Sequence, residues 1–75
     1  MEINDFVKLF AEQFDDTPPE AFAPETAFRE LDEWDSLTAL SVIAMVDEEF
    51  DKQITGADIR SVSTIEELYN YLMKN

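Results

Sequence analysis

The sequence predicts an all-α fold, a small antiparallel helical bundle of three main helices plus one short helix. Apolar residues recur at spacings of three and four in separate segments, and no pair of segments alternates as strands do. A length of 75 residues fits one domain, which we expect to span residues 1–75. The chain has no Cys, so stability must come from packing, to which six Phe, two Tyr and one Trp contribute.

The first helix is predicted by apolar residues that share one face at helical spacing: Ile3, Phe6, Val7, Phe10 and Phe14. The Asp-Asp-Thr-Pro-Pro segment at residues 15–19 should end this helix, because proline has no backbone N–H and disfavours the helical region for the residue before it. A long loop follows, to about residue 35. We expect Phe22, Phe28 and Leu31 to attach this loop to the core.

The second helix is predicted from Ser36 to about Phe50, with Asp35 or Ser36 as its N-cap. After it, Ile54 is expected to be buried. The Thr-Gly-Ala-Asp-Ile segment at residues 55–59 is expected to form a capped single turn or a short third helix.

The last helix is predicted by two features of its sequence. Ser63 and Glu66 have the spacing of a capping box, in which each side chain bonds the backbone N–H of the other residue. An apolar stripe with helical spacing follows and consists of Ile65, Leu68, Tyr69 and Leu72. No Gly-rich loop or internal repeat interrupts this arrangement.

Helix two has more apolar surface than one core face requires. At 100° per residue, the predicted core stripe consists of Ala39, Val42, Ile43, Val46 and Phe50. A second apolar surface, here called the helix-two strip, consists of Leu37, Leu40 and Ala44 and is bordered by Asp47 and Glu48. Either this strip docks a partner protein, or Leu40 packs under the long loop. The pattern alone leaves both interpretations open.

The charge of the chain restricts its function. Five basic residues face eighteen acidic ones, for a formal net charge of −13. This argues against direct nucleic-acid binding, which needs clustered Lys and Arg. Either the negative charge selects basic partners, or it only keeps a small protein soluble, and composition alone favours the second interpretation. We expect basic partners. The absence of His and Cys disfavours an enzyme, because only a carboxylate mechanism would remain. A stretch from Asp51 faintly resembles an EF-hand loop, but its twelfth place is Val62 and not Glu, so no metal site is expected.

Several expectations concern the environment of the protein. Residues 1–5 are acidic and lead directly into an amphipathic pattern, so no signal peptide is expected. The most apolar stretch, residues 37–46, is too short to cross a bilayer. We therefore expect a cytoplasmic monomer that does not bind membranes. Because eighteen carboxylates crowd a small body, we also expect several of them to have a raised pKa in the folded state.

Three segments of the chain resemble acyl carrier proteins in order and spacing. They are Glu-Thr-Ala-Phe-Arg-Glu-Leu at residues 25–31, Trp-Asp-Ser-Leu at residues 34–37 and Asp-Glu-Glu-Phe at residues 47–50, so that the resemblance covers about the whole chain. In that family the serine of Asp-Ser-Leu carries a covalent 4′-phosphopantetheine arm derived from coenzyme A. The resemblance implies that Ser36 is the modified residue and that the arm's thiol carries acyl intermediates as thioesters.

The resemblance also implies partners. Asp35 would help a phosphopantetheinyl transferase, which in this family usually works with a magnesium ion. The face that basic acyl-loading and acyl-processing enzymes recognise would consist of the helix-two strip, Leu37, Leu40 and Ala44, together with the bordering Asp47 and Glu48. Physical chemistry agrees with modification at Ser36, because a helix N-terminus favours the negative charge of a phosphodiester. Without its neighbours, however, a serine at this place would be assigned as a simple cap.

The sequence departs from the family pattern at two places. Members usually have Leu-Gly-x-Asp-Ser-Leu, whereas here the glycine is missing and one more residue separates Leu31 from Asp35. The turn before Ser36 must therefore differ, and Trp34 either packs the loop against the core or lies beside the arm. Thr38 and Ser41 stand where carriers of primary fatty acid synthesis often have carboxylates, which favours a specialised pathway.

An alternative function needs no modification at Ser36. The chain would then be a non-catalytic acidic helical adaptor or inhibitor that docks a basic partner through helix two. If the chain is a carrier, its cargo remains open among fatty acid, polyketide, aminoacyl and lipid- or polysaccharide-modifying pathways, because similar carriers serve all of them.

Overall fold

The computed structural model describes residues 2–74, and every regular element in that range is helical. Its α-helices are α1 (Ile3–Ala11), α2 (Ser36–Phe50), α3 (Gly56–Arg60) and α4 (Ile65–Lys74). The predicted small bundle of three longer helices and one short helix is thereby confirmed. Every helix in the described range is too short or too polar to span a lipid bilayer.

Aromatic rings at the centre of the bundle join the three longer helices. The Phe6 ring of α1 lies 5.6 Å from the Phe50 ring of α2, in an edge-to-face arrangement, and 5.6 Å from the Tyr69 ring of α4. Phe6 itself is fully buried. Edge-to-face and offset pairs stabilise a core beyond the effect of buried area, so Phe6 is a central contact of the fold.

Helix α1 is shorter than predicted. It ends at Ala11, and the chain then tightens, because the N–H groups of Gln13 and Phe14 donate to the carbonyls of Phe10 and Ala11, each at 3.1 Å. Such bonds to the third preceding residue are typical of helix ends. The tighter turn still brings Phe14 into the core, with its ring 4.9 Å from that of Phe22.

The long loop between α1 and α2 packs against the core and contains two short 3-10 helices, Pro19–Ala21 and Phe28–Glu30. The three side chains expected to attach it are buried or half-buried: Phe22, Phe28 and Leu31. The Phe28 ring lies 5.3 Å from the Phe10 ring of α1. The loop is thus part of the core, which explains how so small a domain accommodates a loop of this length.

The N-terminus of α4 is capped in a different register from the one predicted. Thr64 Oγ1 accepts the Glu67 N–H at 3.1 Å, and the Glu67 carboxylate accepts the Ser63 N–H at 2.6 Å. The predicted pairing of Ser63 with Glu66 is therefore wrong by one residue. The sequence has Ser-Thr at residues 63–64 and Glu-Glu at residues 66–67, so a capping box could form in either of two registers. Burial of Ile65 at the start of α4 selects the register of Thr64 with Glu67.

The long loop also caps α4. The N–H groups of Ile65 and Glu66, at the start of this helix, donate to the carbonyls of Thr26 and Pro24 at 3.2 and 2.8 Å. These N–H groups have no partner inside the helix, so the loop carbonyls satisfy donors that would otherwise need water. The loop before α2 and the last helix consequently hold each other in place.

The short helix α3 is capped as predicted. Thr55 Oγ1 accepts the Asp58 N–H at 3.2 Å, and the Asp58 carboxylate accepts the Thr55 N–H at 2.9 Å, which completes a capping box. Ile54 before the helix and Ile59 within it are both buried. These contacts attach α3 to the core and place its Gly56–Arg60 segment beside the N-terminal half of α2.

The buried face of α2 agrees in part with the one predicted. Its buried residues are Thr38, Val42, Met45 and Val46. Thr38 and Met45 were not expected in the core. Of the residues that were expected there, Ile43 and Phe50 are half-buried and pack against the core, whereas Ala39 is half-buried beside the groove next to Ser36. The hydrophobic pattern missed Thr38 because its hydroxyl is polar, yet this hydroxyl is satisfied by hydrogen bonds near the helix start.

Candidate functional site

Asp35 is the N-cap of α2, which settles the choice between Asp35 and Ser36. Its Oδ1 accepts the Thr38 N–H at 2.8 Å and lies 3.0 Å from Thr38 Oγ1. Ser36 is consequently the first residue of the helix, and its side chain is exposed. Because Asp35 performs the capping role, the Ser36 hydroxyl is not needed for it.

Glu33 fixes the turn before Ser36, a role that the sequence did not predict. Its carboxylate accepts the backbone N–H groups of Asp15, Asp16 and Thr17 at 2.7, 3.1 and 2.8 Å. The Thr17 hydroxyl donates to the same carboxylate at 2.7 Å. These bonds join the segment after α1 to the segment before α2.

The carboxylates whose pKa is shifted in this region are shifted downward. The Thr17 hydroxyl, as the largest cause, and the three backbone N–H groups lower the pKa of Glu33. The Thr38 N–H and then the Thr38 hydroxyl lower the pKa of Asp35, and they outweigh the desolvation and the Glu33 charge, which act in the opposite direction. The pKa of Asp58 is lowered as well, first by the Thr55 N–H and then by the Tyr71 hydroxyl. For these three groups the expected rise in pKa is wrong, because donors surround each of them.

Trp34 faces the core and also borders the site. Its half-buried indole lies 5.1 Å from the Phe28 ring and stacks nearly parallel to the Phe10 ring at 6.5 Å. It also lines the groove beside Ser36. The two interpretations offered for Trp34 are therefore compatible, because packing against α1 holds the indole at the edge of the site.

A groove of about 400 Å³ lies beside Ser36, between the start of α2 and α3. Trp34, Ala39 and Ile59 supply apolar parts of its wall. Arg29 and Arg60 add positive charge at the same place. A second, larger groove of about 940 Å³ lies between α1 and the long loop, and Ser36 is not among its lining residues.

The helix-two strip lies on the exposed side of α2. The side chains of Leu37 and Leu40 are 74% and 60% exposed, which rules out the alternative in which Leu40 packs under the long loop. Ala44, the third residue of the strip, is exposed as well, and so are the bordering Asp47 and Glu48. Ser36 therefore stands at one end of an exposed surface that is apolar along its length and acidic at its far end.

Within residues 2–74, no group of three His, Cys, Asp or Glu side chains is arranged to hold a metal ion. The remaining chemistry at the site is that of an exposed serine hydroxyl at a helix N-terminus. Such a position provides backbone N–H groups and the positive end of the helix dipole, both of which stabilise an attached phosphate.

A comparison with models of protein families gives one match, to the family described as "Phosphopantetheine attachment site", over residues 4–72. Neither the comparison with curated proteins nor that with solved structures gives a match. The chain belongs to this family and is a phosphopantetheine carrier domain. As such it is a non-catalytic carrier with a covalently attached 4′-phosphopantetheine, and its partners include phosphopantetheinyl transferases and acyl-processing enzymes in general.

Proposed function

We propose that Ser36 is the attachment residue and that the protein carries acyl intermediates as thioesters on the thiol of the arm. The observation that carries this proposal is the position of Ser36, which is exposed and begins α2 directly after the capping residue Asp35. Family membership requires an attachment serine. Ser36 is the serine that the Asp-Ser-Leu motif selects, and it is an exposed residue, which a transferase can reach.

The attachment reaction requires only a nucleophile from this chain. The Ser36 oxygen forms a bond to the phosphorus that bears pantetheine, the pyrophosphate bond of coenzyme A breaks, and the adenosine bisphosphate leaves. The hydroxyl proton passes to a base on the transferase. Asp35 is the proposed contact for the transferase and its magnesium ion, because this exposed carboxylate directly precedes Ser36 and carboxylate oxygens are ligands that magnesium prefers.

We propose the helix-two strip as the face that partner enzymes bind. Leu37 and Leu40 offer exposed apolar contacts next to Ser36, and Asp47 and Glu48 provide negative charge farther along α2. A partner with a basic rim around an apolar patch would match both features. The same negative charge would repel a second copy of this chain, which supports a monomer. We propose that this monomer works in the cytoplasm.

We further propose a specialised pathway. Ser41 is exposed and uncharged where carriers of primary fatty acid synthesis often have a carboxylate. Thr38, the second such position, is buried and serves the cap, so it offers no charge to a partner. A partner that binds here would recognise the apolar side chains of Leu37 and Leu40 more than any charge in the first turns of α2.

Mass spectrometry after enzymatic loading tests the attachment site. Wild-type protein incubated with coenzyme A and a broad-specificity transferase should gain one phosphopantetheinyl group, and Ser36→Ala should gain none. Ser41→Ala is the matched control, because Ser41 is an exposed serine in the same helix, and this variant should be loaded like the wild type. Loading of Ser36→Ala would move the attachment site elsewhere. Failure of the wild type with several active transferases would favour the acidic adaptor.

A further inference from the structure

The positive charges of this chain are distributed unevenly around Ser36. The chain contains two arginines, Arg29 and Arg60, and both line the groove that also contains Ser36. They come from separate elements, since Arg29 lies in the long loop and Arg60 in the last turn of α3. In a protein of net charge −13, the fold thus brings both arginines to the groove that Ser36 also lines.

Contacts within the groove position these arginines. Arg29 Nη1 donates to the Arg60 backbone carbonyl at 3.2 Å, which ties the Arg29 side chain to the end of α3. A Cβ atom on Gly56 would lie 3.3 Å from Arg60 Nη1, so the Arg60 guanidinium extends back over Gly56 along the groove. Within residues 2–74, neither guanidinium forms an ion pair with a carboxylate. Both retain N–H donors for a ligand.

We propose that Arg29 and Arg60 bind the phosphodiester of the arm, an inference that rests on the proposed attachment at Ser36. The phosphate is bonded directly to Ser36 Oγ, so it must lie at the groove that both arginines line. Guanidinium groups suit phosphate oxygens because they offer several N–H donors in one plane. The bound phosphate would be neutralised on one side by the start of α2 and on the other by the arginine pair.

The arginine pair has a specific value in so acidic a protein. Attachment of the arm adds one more negative charge to a chain of net charge −13. Two nearby cations offset this repulsion and hold the base of the arm on the α3 side of Ser36. The helix-two strip then stays uncovered for partner enzymes. A carboxylate on the cargo is a second anion that this pair could attract, but it would lie at the far end of the arm.

Phosphorus NMR of the loaded protein tests the proposal, after mass spectrometry has confirmed loading. At low salt, the phosphodiester of the wild type should relax like a group fixed to the protein body. In the variant with Arg29→Gln and Arg60→Gln, the phosphodiester signal at low salt should be narrower than in the wild type. Its chemical shift should approach the value that the wild type has at high salt. Lys8→Gln is the matched control, because it removes one positive charge from the other groove, on α1, and it should leave the signal unchanged.

Equal signals in the wild type and the double variant would overturn the proposal. A phosphodiester that is mobile in both proteins would also overturn the proposal. If its signal then changes only when the cargo carries a carboxylate, the arginines bind the cargo and not the phosphodiester. Arg60→Gln alone covers the case in which the loss of Arg29 disturbs folding, because the Arg29 hydrogen bond uses only the Arg60 backbone. This single variant should narrow the signal partially, and no change would count against the proposal.

Titration of unloaded protein with inorganic phosphate provides a test that does not depend on attachment. Phosphate should shift the backbone amide signals of Ser36, Ala39 and Ile59, and the double variant should bind it roughly tenfold more weakly. Absence of these shifts in the wild type, or equal affinity in the double variant, would overturn the inference. If the wild type cannot be loaded, the proposed function fails, and the phosphate titration still decides whether this groove binds phosphate.

Discussion

Glu33 accepts two hydrogen bonds from the same residue, since its Oε1 lies 2.8 Å from the Thr17 nitrogen and 2.7 Å from the Thr17 hydroxyl. This contact spans sixteen residues and connects the segment after α1 to the segment before Ser36. It belongs to no helix. The segment that leads into Ser36, the proposed attachment residue, is thus held by a carboxylate that lies outside every regular element.

The first prediction is that Glu33→Gln lowers the melting temperature. The amide keeps the shape of the side chain, but it loses the charge and replaces one acceptor by a donor that faces backbone N–H groups. Glu30→Gln is the control, because Glu30 is an exposed residue of the same loop, and it should leave the melting temperature nearly unchanged. Equal melting temperatures in all three proteins would show that the Glu33 contacts do not stabilise the fold.

The second prediction concerns acid. Because hydrogen bonds lower the pKa of Glu33, Asp35 and Asp58 in the folded state, the unfolded chain binds protons more readily at these groups. Their contribution to stability is present above the unfolded values, about 4 to 4.5, and is lost as pH falls through the lower folded values. Thermal melts in a series that starts at about pH 6 should therefore show a melting temperature that falls once the pH is below about 4.5.

Glu33→Gln provides the control for this acid effect. The variant lacks one of the three groups, so its melting temperature should fall less steeply with acid than that of the wild type. A melting temperature that rises on acidification would mean that repulsion among the other carboxylates outweighs these three hydrogen-bonded groups.

The sequence was informative where local signals determine the structure. The bounds of α2, from Ser36 to Phe50, were predicted correctly because a cap and a long apolar run coincide there. The burial of Ile54 and the cap at Thr55 are local in the same sense. Membership of the carrier family was predicted from the spacing of short motifs, and the family match confirms it.

The parts that could not be predicted depend on long-range contacts. The carboxylate of Glu33 meets N–H groups from sixteen to eighteen residues away, and the Arg29 hydrogen bond to Arg60 spans thirty-one residues. No periodic pattern encodes such pairs. The burial of Thr38 in α2 was missed for a related reason, because it depends on hydrogen bonds to Asp35 and to the Glu33 carbonyl. Hydrophobicity alone assigns this threonine to the surface.

The third prediction separates the two faces of α2. Val46→Ala should cost about 1 to 3 kcal/mol of unfolding free energy, because Val46 is fully buried and the change leaves a cavity. Leu40→Ala should change stability by less than about 0.5 kcal/mol, because Leu40 is mostly exposed. Instead it should weaken acyl transfer to or from a partner enzyme. Denaturant unfolding and a transfer assay measure these two effects.

Charge reversal tests the acidic end of the same face. Asp47→Lys combined with Glu48→Lys should also weaken transfer, while the helix content stays close to that of the wild type. If Leu40→Ala unfolds the domain, the assignment of Leu40 to the exposed face of α2 is wrong. If both strip variants transfer normally, partners dock elsewhere on the carrier.

The fourth prediction tests the buried hydroxyl of Thr38. Thr38→Val keeps the shape of the side chain but leaves the Asp35 carboxylate and the Glu33 carbonyl without this donor, so it should cost about 1 to 2 kcal/mol. Thr38→Ser restores the hydroxyl and should recover much of the loss, apart from the missing methyl group. If Thr38→Val is as stable as the wild type, the hydroxyl does not contribute to the cap. Denaturant unfolding of the three proteins makes the comparison.

The last prediction concerns the acidic C-terminal end of α2. Asp47, Glu48 and Glu49 are exposed there, and the last turn contains no basic residue, so these carboxylates lie at the end of the helix where the dipole disfavours negative charge. Glu49→Lys should raise the melting temperature, and added salt should stabilise this variant less than the wild type. Glu49 was chosen because it lies outside the helix-two strip.

Glu66→Lys is the matched control for this effect. It makes the same change in net charge in the first turn of α4, where the helix dipole favours the original carboxylate. If overall repulsion dominates, both variants should gain stability equally in thermal melts. If the helix dipole contributes as argued, Glu49→Lys should gain more than Glu66→Lys at low salt, and the difference should shrink as salt is added. If Glu66→Lys raises the melting temperature more than Glu49→Lys does, the unfavourable charge interactions are not concentrated at the C-terminal end of α2.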